Sequence, residues 1–213
     1  MKITQIQHSR ISDIDFSNIL FGRVFSDHMF ICDFKDGEWM NPEVLPYGPI
    51  KMFPATQVIH YGQSIFEGMK AFKNNQGDIL FFRRGDNFNR LNKSAVRLSI
   101  PQIEENIFMN GLDKLLQLDS SWCRSEKGYS LYIRPFIFAS AECVKASSSE
   151  EFKFMIITSP TLNYYPNAID LVIEEKFSRA TKGGVGNIKA AGNYAGSFYP
   201  TKMANAKGFT QVI

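Results

Sequence analysis

The sequence predicts an α/β chain in two parts, on three observations. Short stretches alternate apolar and polar residues, the period of a half-buried strand, as where Tyr129, Leu131 and Ile133 alternate with Ser130, Tyr132 and Arg134. Two central stretches repeat apolar residues every three to four positions, the period of an amphipathic helix. A segment with two prolines, Pro160 to Asn167, then separates this body from a glycine-rich region. The expected parts are an α+β unit over residues 1–163, a linker over 164–176, and the opening of a second unit over 177–213.

The elements follow in chain order. Phe21 to Phe34 is rich in Phe, Val, Ile and Met and reads as one or two strands, with Asp36-Gly37-Glu38 as a turn. Glu67 to Phe72 and Ile79 to Phe82 flank Asn74-Asn75-Gln76-Gly77-Asp78, a hairpin with a longer loop. Asp86 to Ile100 reads as a helix with Phe88, Leu91, Ala95 and Leu98 on one face, stopped by Pro101. A second helix is expected from Gln102 to Leu118, striped by Ile103, Ile107, Gly111, Leu115 and Leu118. Tyr129–Phe138 and Phe152–Thr158 read as strands, the second bounded by Ser159-Pro160, and Ile169–Ile173 is a further candidate. Asn193 to Lys207 has the pattern of a helix ending on Gly208, and Pro200 inside it argues for a bend or a shorter helix. Gly208 to Ile213 begins a strand-like run and stops. An unpaired apolar edge invites association, so the sequence is expected to be truncated there.

Composition narrows the function classes. The 213 residues are 44% hydrophobic and 21% charged, an ordinary globular balance that excludes disorder for the body of the chain. Twenty-four Lys and Arg against 21 Asp and Glu give a net charge of +3 without a run of five or six like charges, so no nucleic-acid partner is expected. No run of apolar residues is long enough for a membrane span, and the start lacks the apolar core of a signal peptide, which reads as a cytoplasmic protein. Cys32, Cys123 and Cys143 are odd in number and form no CxxC pair, so reduced packing thiols are expected. His8, His28 and His60 are equally scattered, and no metal site is expected.

The segment that carries chemistry is Gly183-Gly184-Val185-Gly186-Asn187-Ile188-Lys189-Ala190-Ala191-Gly192-Asn193-Tyr194-Ala195. It is no phosphate-cradling P-loop, because no Gly-Lys-Ser/Thr follows the glycines. Glycines would let the backbone approach a bulky planar ligand. A lysine amine there can condense with an aldehyde cofactor, provided that desolvation or a nearby cation favours its neutral form. Spacing alone favours a plainer reading, an exposed lysine in a glycine-rich loop.

The stretch GGVGNIKAAGNYAGS resembles the lysine motif of branched-chain amino acid aminotransferases, pyridoxal-phosphate enzymes of fold type IV. Four other stretches match in the same order: FGRVFSDHMF from Phe21, HYGQSIFEGMKAF from His60, FFRRGDNFNRLNKSAVRLSIP from Phe81 and SLYIRPF from Ser130. The resemblance covers nearly the whole chain from Phe21. It implies a fold type IV α/β architecture and transfer of an amino group between Leu, Ile or Val and 2-oxoglutarate. It implies that Lys189 carries pyridoxal 5'-phosphate and moves the proton, that Tyr194 donates to the cofactor's phenolic oxygen, and that Arg90 grips its phosphate. Phe21, Tyr61 and Phe66 would line the side-chain pocket, and Tyr132 and Arg134 would recognise carboxylates. A homodimer or higher homo-oligomer acting on amino acids and 2-oxo acids is implied, as is a further acidic residue beyond Ile213 that pairs with the pyridine nitrogen. Two other readings stay open: another fold type IV enzyme, acting on D-amino acids or aminodeoxychorismate, or a non-catalytic fragment of such an enzyme.

Overall fold

The computed structural model describes residues 1–162, 165 and 167–213. The expected boundary at residue 163, the start of the linker at 164, and Pro166 lie outside the described residues. In chain order the elements are β1 (Lys2–Ile3), β2 (His28–Lys35), β3 (Glu38–Pro46), α1 (Gln57–Tyr61), β4 (Ser64–Phe66), β5 (Met69–Lys73), β6 (Ile79–Phe81), α2 (Arg84–Arg97), α3 (Glu105–Leu118), β7 (Ser130–Ala139), β8 (Phe152–Thr161), β9 (Leu171–Val172), α4 (Ala191–Ala195), α5 (Phe198–Ala206) and β10 (Gln211–Val212). Eight strands form one sheet in the order β1-β3-β2-β8-β7-β5-β6, with β4 also on β7. β9 and β10 make a separate parallel pair.

The turn at Asp36-Gly37 has positive φ at both residues, 53° and 90°. That backbone matches the twist of a two-residue hairpin, so β2 leads straight into β3. β3 escapes a pattern reading because Asn41 and Pro42 interrupt it. The pairing shifts there, from Ile31 opposite Glu43 to Asp33 opposite Met40, so a bulge absorbs the proline.

Two helices differ from their expected bounds for local reasons. α2 ends at Arg97, where Ser99 takes φ 54° and the Ile100 N–H returns to the Ala95 carbonyl at 2.9 Å. The chain has thus left the helix before Pro101 could stop it. α3 starts at Glu105, not Gln102. Asn92 of α2 holds Ile103 extended, accepting its N–H at 2.9 Å and donating to its carbonyl at 3.0 Å. The last helical pattern divides into α4 and α5. Pro200 sits in the first turn of α5, where its missing N–H costs no helical bond, while a continuous helix would set its ring against the carbonyl of Gly196.

Prolines also shape the sheet. β8 runs through Ser159-Pro160 to Thr161, past its expected end. Its last bond toward β2 is the Ser26 N–H to the Thr158 carbonyl at 3.0 Å. Pro160, two residues on, faces the same side after β2 has turned away, so no donor is missed. β4 and β5 keep one register on β7, with Phe66 opposite Phe136 and Met69 opposite Ile133. The gap between them falls opposite Pro135, whose nitrogen cannot donate, and Glu67-Gly68 occupies that gap.

Alternation on β7 gives the sheet two faces. Leu131, Ile133 and Ile137 point toward α2 and α3 into the main core with Phe30, Leu91, Phe108, Leu112, Leu115 and Phe154, all fully buried. Burying each such side chain contributes about 1.5–3 kcal/mol. Tyr132, Arg134 and Phe136 point the other way and are half-buried, beside a smaller cluster of Met29, Phe138 and Met155. The N-terminal segment is fastened by polar groups. Asp27 accepts from Ser9 Oγ at 2.5 Å, the Arg10 N–H at 3.0 Å and Trp122 Nε1 at 2.8 Å. His28 meets Asp119 at 2.6 Å and accepts the Ile6 N–H at 3.2 Å.

The thiols of Cys32 and Cys123 are buried, that of Cys143 is half-exposed, and all three are free. Burial, with Asp33 and Glu104 nearby, pushes Cys32 up to about 12. Among the described residues no helix is long and apolar enough to cross a membrane.

Candidate active site

Lys189 is set by its backbone. Its N–H donates to Ser94 Oγ at 3.1 Å, and its carbonyl accepts the Phe66 N–H at 3.1 Å. Ala190 bridges to Ile65, so the lysine segment lies along the free edge of β4. Ser94 in turn donates to the Arg90 carbonyl at 2.9 Å. One turn of α2 therefore carries both Arg90 and the clamp on Lys189. Arg97 of the same helix donates to the Gly183 carbonyl at 3.3 Å, fixing the glycine-rich loop.

The Lys189 amine lies against aromatic faces, 4.9 Å from the Phe66 ring centre and 5.7 Å from that of Tyr194. These two rings meet edge to face at 4.8 Å. Arg179 stacks on the other ring, 4.9 Å from the centre of Tyr194. Phe66 also lies under Arg134, whose guanidinium carbon is 4.7 Å from its ring centre. The pairing explains this contact. Phe66 is opposite Phe136, so Arg134 is its diagonal neighbour on the same face.

Arg134 donates to the Tyr132 hydroxyl from Nε at 3.2 Å and Nη2 at 2.8 Å. Phe21 packs edge-on against Tyr132 at 5.0 Å. Phe21, Phe25, Tyr132, Arg134, Ile157 and Ser159 line a cavity of about 290 Å³. Gly68 is required by this arrangement, because any Cβ there would collide with the Tyr132 hydroxyl.

The structure thus gathers Lys189, Tyr194, Phe66, Arg134, Tyr132 and Phe21 into one continuous set, with Arg90 joined through Ser94. Tyr61 stands apart, at the end of α1, where its hydroxyl donates to the Val144 carbonyl. The neighbouring arginines have other partners: Arg83 pairs with Asp86 and Arg84 with Asp113. Gly184 and Gly186 pack the loop upon itself, whereas a Cβ on Gly183 or Gly192 would meet nothing within 4 Å. A Cβ on Gly186 would come within 2.5 Å of Ala180, a close approach within the loop itself.

Sequence reasoning missed Glu67. It is fully buried and accepts from Arg90 Nε at 2.5 Å and Nη2 at 2.6 Å. Hydrogen bonding to Glu67 raises the pKa of Arg90, against the opposing effect of burial. The available signal was an acid inside the otherwise apolar strand stretch Ile65-Phe66-Glu67-Gly68-Met69, a place where strands rarely tolerate a charge without a partner. Ser94 gave no signal, since its position on the buried helix face reads as packing.

No family profile matches the chain. Individual proteins do. Branched-chain-amino-acid aminotransferase 2 of Bacillus subtilis is 45% identical over 203 residues, covering 93% of this chain and 56% of that protein. A probable branched-chain-amino-acid aminotransferase of Staphylococcus aureus is 42% identical over 204 residues, with 93% and 57% covered. Among solved structures, the branched-chain aminotransferase of Thermoproteus uzoniensis aligns with a TM-score of 0.70 at 20% identity, over 87% of this chain and 59% of that one. The T.th. branched-chain amino acid aminotransferase, complexed with N-(5'-phosphopyridoxyl)-L-glutamate, aligns with a TM-score of 0.63 at 22% identity, over 85% and 57%. The chain spans a little over half the length of these relatives. Over nearly all its residues it is homologous to the branched-chain-amino-acid aminotransferases, and its fold is the fold type IV architecture those enzymes share.

Proposed function

We propose that the chain forms the lysine-bearing part of an aminotransferase that moves an amino group between Leu, Ile or Val and 2-oxoglutarate with pyridoxal 5'-phosphate. The carrying observation is the placement of Lys189: clamped at both backbone groups, with its amine against Phe66 and Tyr194 and tied through Ser94 to Arg90. The donor set fits such a cofactor. An amine, a phenol and a guanidinium suit its aldehyde, its phenolic oxygen and its phosphate. Homology to enzymes of this activity and the phosphopyridoxyl-glutamate held by the T.th. relative support the same reading.

When bound, the cofactor supplies an aldehyde for reversible attachment of amines and an electron sink for the substrate's α-carbon. In this reading Arg90 and Tyr194 hold it, and Lys189 anchors it. The lysine amine, once free, takes the proton from the substrate's α-carbon, a role worth about 10²–10⁴-fold in rate. The backbone clamp limits where that amine can reach. Phe21, Phe66 and Tyr132 offer apolar surface to a branched side chain, at roughly 25 cal/mol for each Å² removed from water. Arg134, with Nε and Nη2 turned to Tyr132, presents its remaining edge to a carboxylate.

Tyr61 belongs to the pocket in this proposal through assembly, since its own protomer's cluster does not include it. We place the protein in the cytoplasm as a homodimer or higher homo-oligomer, on the resemblance described above. The division into a unit over 1–163, a linker over 164–176 and a second unit from 177 is likewise a proposal. A separate second unit is supported by β9 and β10, which among the described residues pair with each other; because β9 falls inside the span given to the linker, that pairing favours a start of the second unit by Leu171.

Titration with pyridoxal 5'-phosphate tests the core of this reading. The protein should gain a visible absorption band, and borohydride should fix the label on the peptide carrying Lys189. An unchanged spectrum in Lys189→Ala, or a label elsewhere, refutes it.

A further inference from the structure

Glu67 is a fully buried carboxylate beside the site that the proposed chemistry does not use. Its partners are four N–H groups. Oε1 accepts from Arg90 Nε at 2.5 Å, and Oε2 accepts from Arg90 Nη2 at 2.6 Å, Asn87 Nδ2 at 3.0 Å and the Gly68 N–H at 3.3 Å. The carboxylate thus meets the guanidinium side-on and uses its inner edge. Guanidinium carries five N–H donors. Both hydrogens on Nη1 and the second on Nη2 remain, on the outer edge of a side chain that is 49% exposed. Among the described residues nothing accepts from Nη1.

A flexible arginine binds an anion weakly, because its rotamers must first be ordered. Here a carboxylate within the apolar sheet, steadied by a side-chain amide and a backbone N–H, removes that freedom. The gap in pairing opposite Pro135 makes room for it, and the Glu67 N–H itself donates to the Pro135 carbonyl at 2.7 Å.

We propose that Glu67 is a positioning residue: it grips Arg90 by its inner edge and so fixes the outer edge for the phosphate of the cofactor. This rests on the cofactor reading above. Two effects of the carboxylate oppose each other. Its charge repels a phosphate dianion, while its grip orders the arginine that binds one. The sign of the change in Glu67→Gln shows which of them prevails. The glutamine keeps the shape but turns an NH2 toward donors that need an acceptor, so the grip is lost along with the charge. Positioning predicts weaker phosphate binding; charge alone predicts tighter.

The experiment compares equilibrium binding of pyridoxal 5'-phosphate with that of pyridoxal, which has the same ring and aldehyde and no phosphate. Glu67→Gln should weaken pyridoxal 5'-phosphate binding by about tenfold, the scale of one charge-assisted hydrogen bond, and leave pyridoxal unchanged. Asn87→Ala loosens the carboxylate without altering any charge, and should give a smaller loss in the same direction. It keeps the test decisive if Glu67→Gln fails to fold. Unchanged or tighter pyridoxal 5'-phosphate binding in these variants overturns the proposal, as does an equal loss for both aldehydes. If the unaltered protein does not distinguish the two aldehydes, the cofactor reading falls, and this inference with it.

Discussion

Gly111 and Gly85 receive the same substitution and should respond with opposite signs. Gly111 lies in the middle of α3 on its buried face. A Cβ there would sit 2.8, 2.8 and 2.9 Å from Cε2, Cζ and Cδ2 of Phe30. Ordinary carbon contacts are about 3.5–4.0 Å, so helix and ring must separate by about 0.7 Å or more. Phe30 has no space to yield, being fully buried with its ring edge-on to Phe154 at 5.7 Å. Overpacking of this kind costs about 1–3 kcal/mol. Alanine returns about 0.8–1 kcal/mol through helix propensity. Gly111→Ala should therefore lose up to about 2 kcal/mol net. Gly85 lies in the first turn of α2, without a positive φ, and a Cβ there meets nothing within 4 Å. Gly85→Ala should gain about 0.4–1 kcal/mol. Thermal or urea unfolding measures the difference, at roughly 2–4 °C of Tm per kcal/mol for a chain of this size. If Gly111→Ala is as stable as Gly85→Ala, the close packing of α3 on Phe30 is wrong.

Two further outcomes follow from buried polar groups. Burial alone would raise the Asp27 carboxyl, but donors from Ser9, the Arg10 backbone and Trp122 outweigh it and hold the group below the usual carboxylate range. A depressed folded-state value stabilises above the unfolded one, about 3.9, and that contribution disappears as pH falls below it. Asp27→Asn should thus be less stable at pH 7, with the gap closing as pH falls below about 4; a gap that stays constant as the pH is lowered counts against the assignment. Asn92 is 8% exposed and answers both backbone groups of Ile103. Asn92→Ala strands them, at about 1–3 kcal/mol each where burial is complete. A loss under about 1 kcal/mol in urea unfolding would mean that other groups or water replace it.

The site was legible wherever its geometry is local. Strand alternation alone puts Tyr132 and Arg134 on one face, as found. The glycines around Lys189 mark an unusual backbone, and at Gly186 the need is internal packing against Ala180. Element ends were less legible because distant side chains set them. Asn92 delays α3 from another helix, and Pro160 is tolerated in β8 because β2 has turned away.

Local sequence therefore determined the alternation of β7, the apolar stripes of α2 and α3, the turn at Asp36-Gly37 and the chemical types available near Lys189. These follow from the period of the backbone and the φ values that single residues permit, which depend on near neighbours only. Tertiary structure alone decided that Ser94 clamps Lys189 from 95 positions away and that Glu67 grips Arg90 from 23 away. Contacts at such separation depend on how the sheet registers and where α2 docks. Those are properties of the whole packed core, and no single stretch of residues encodes them.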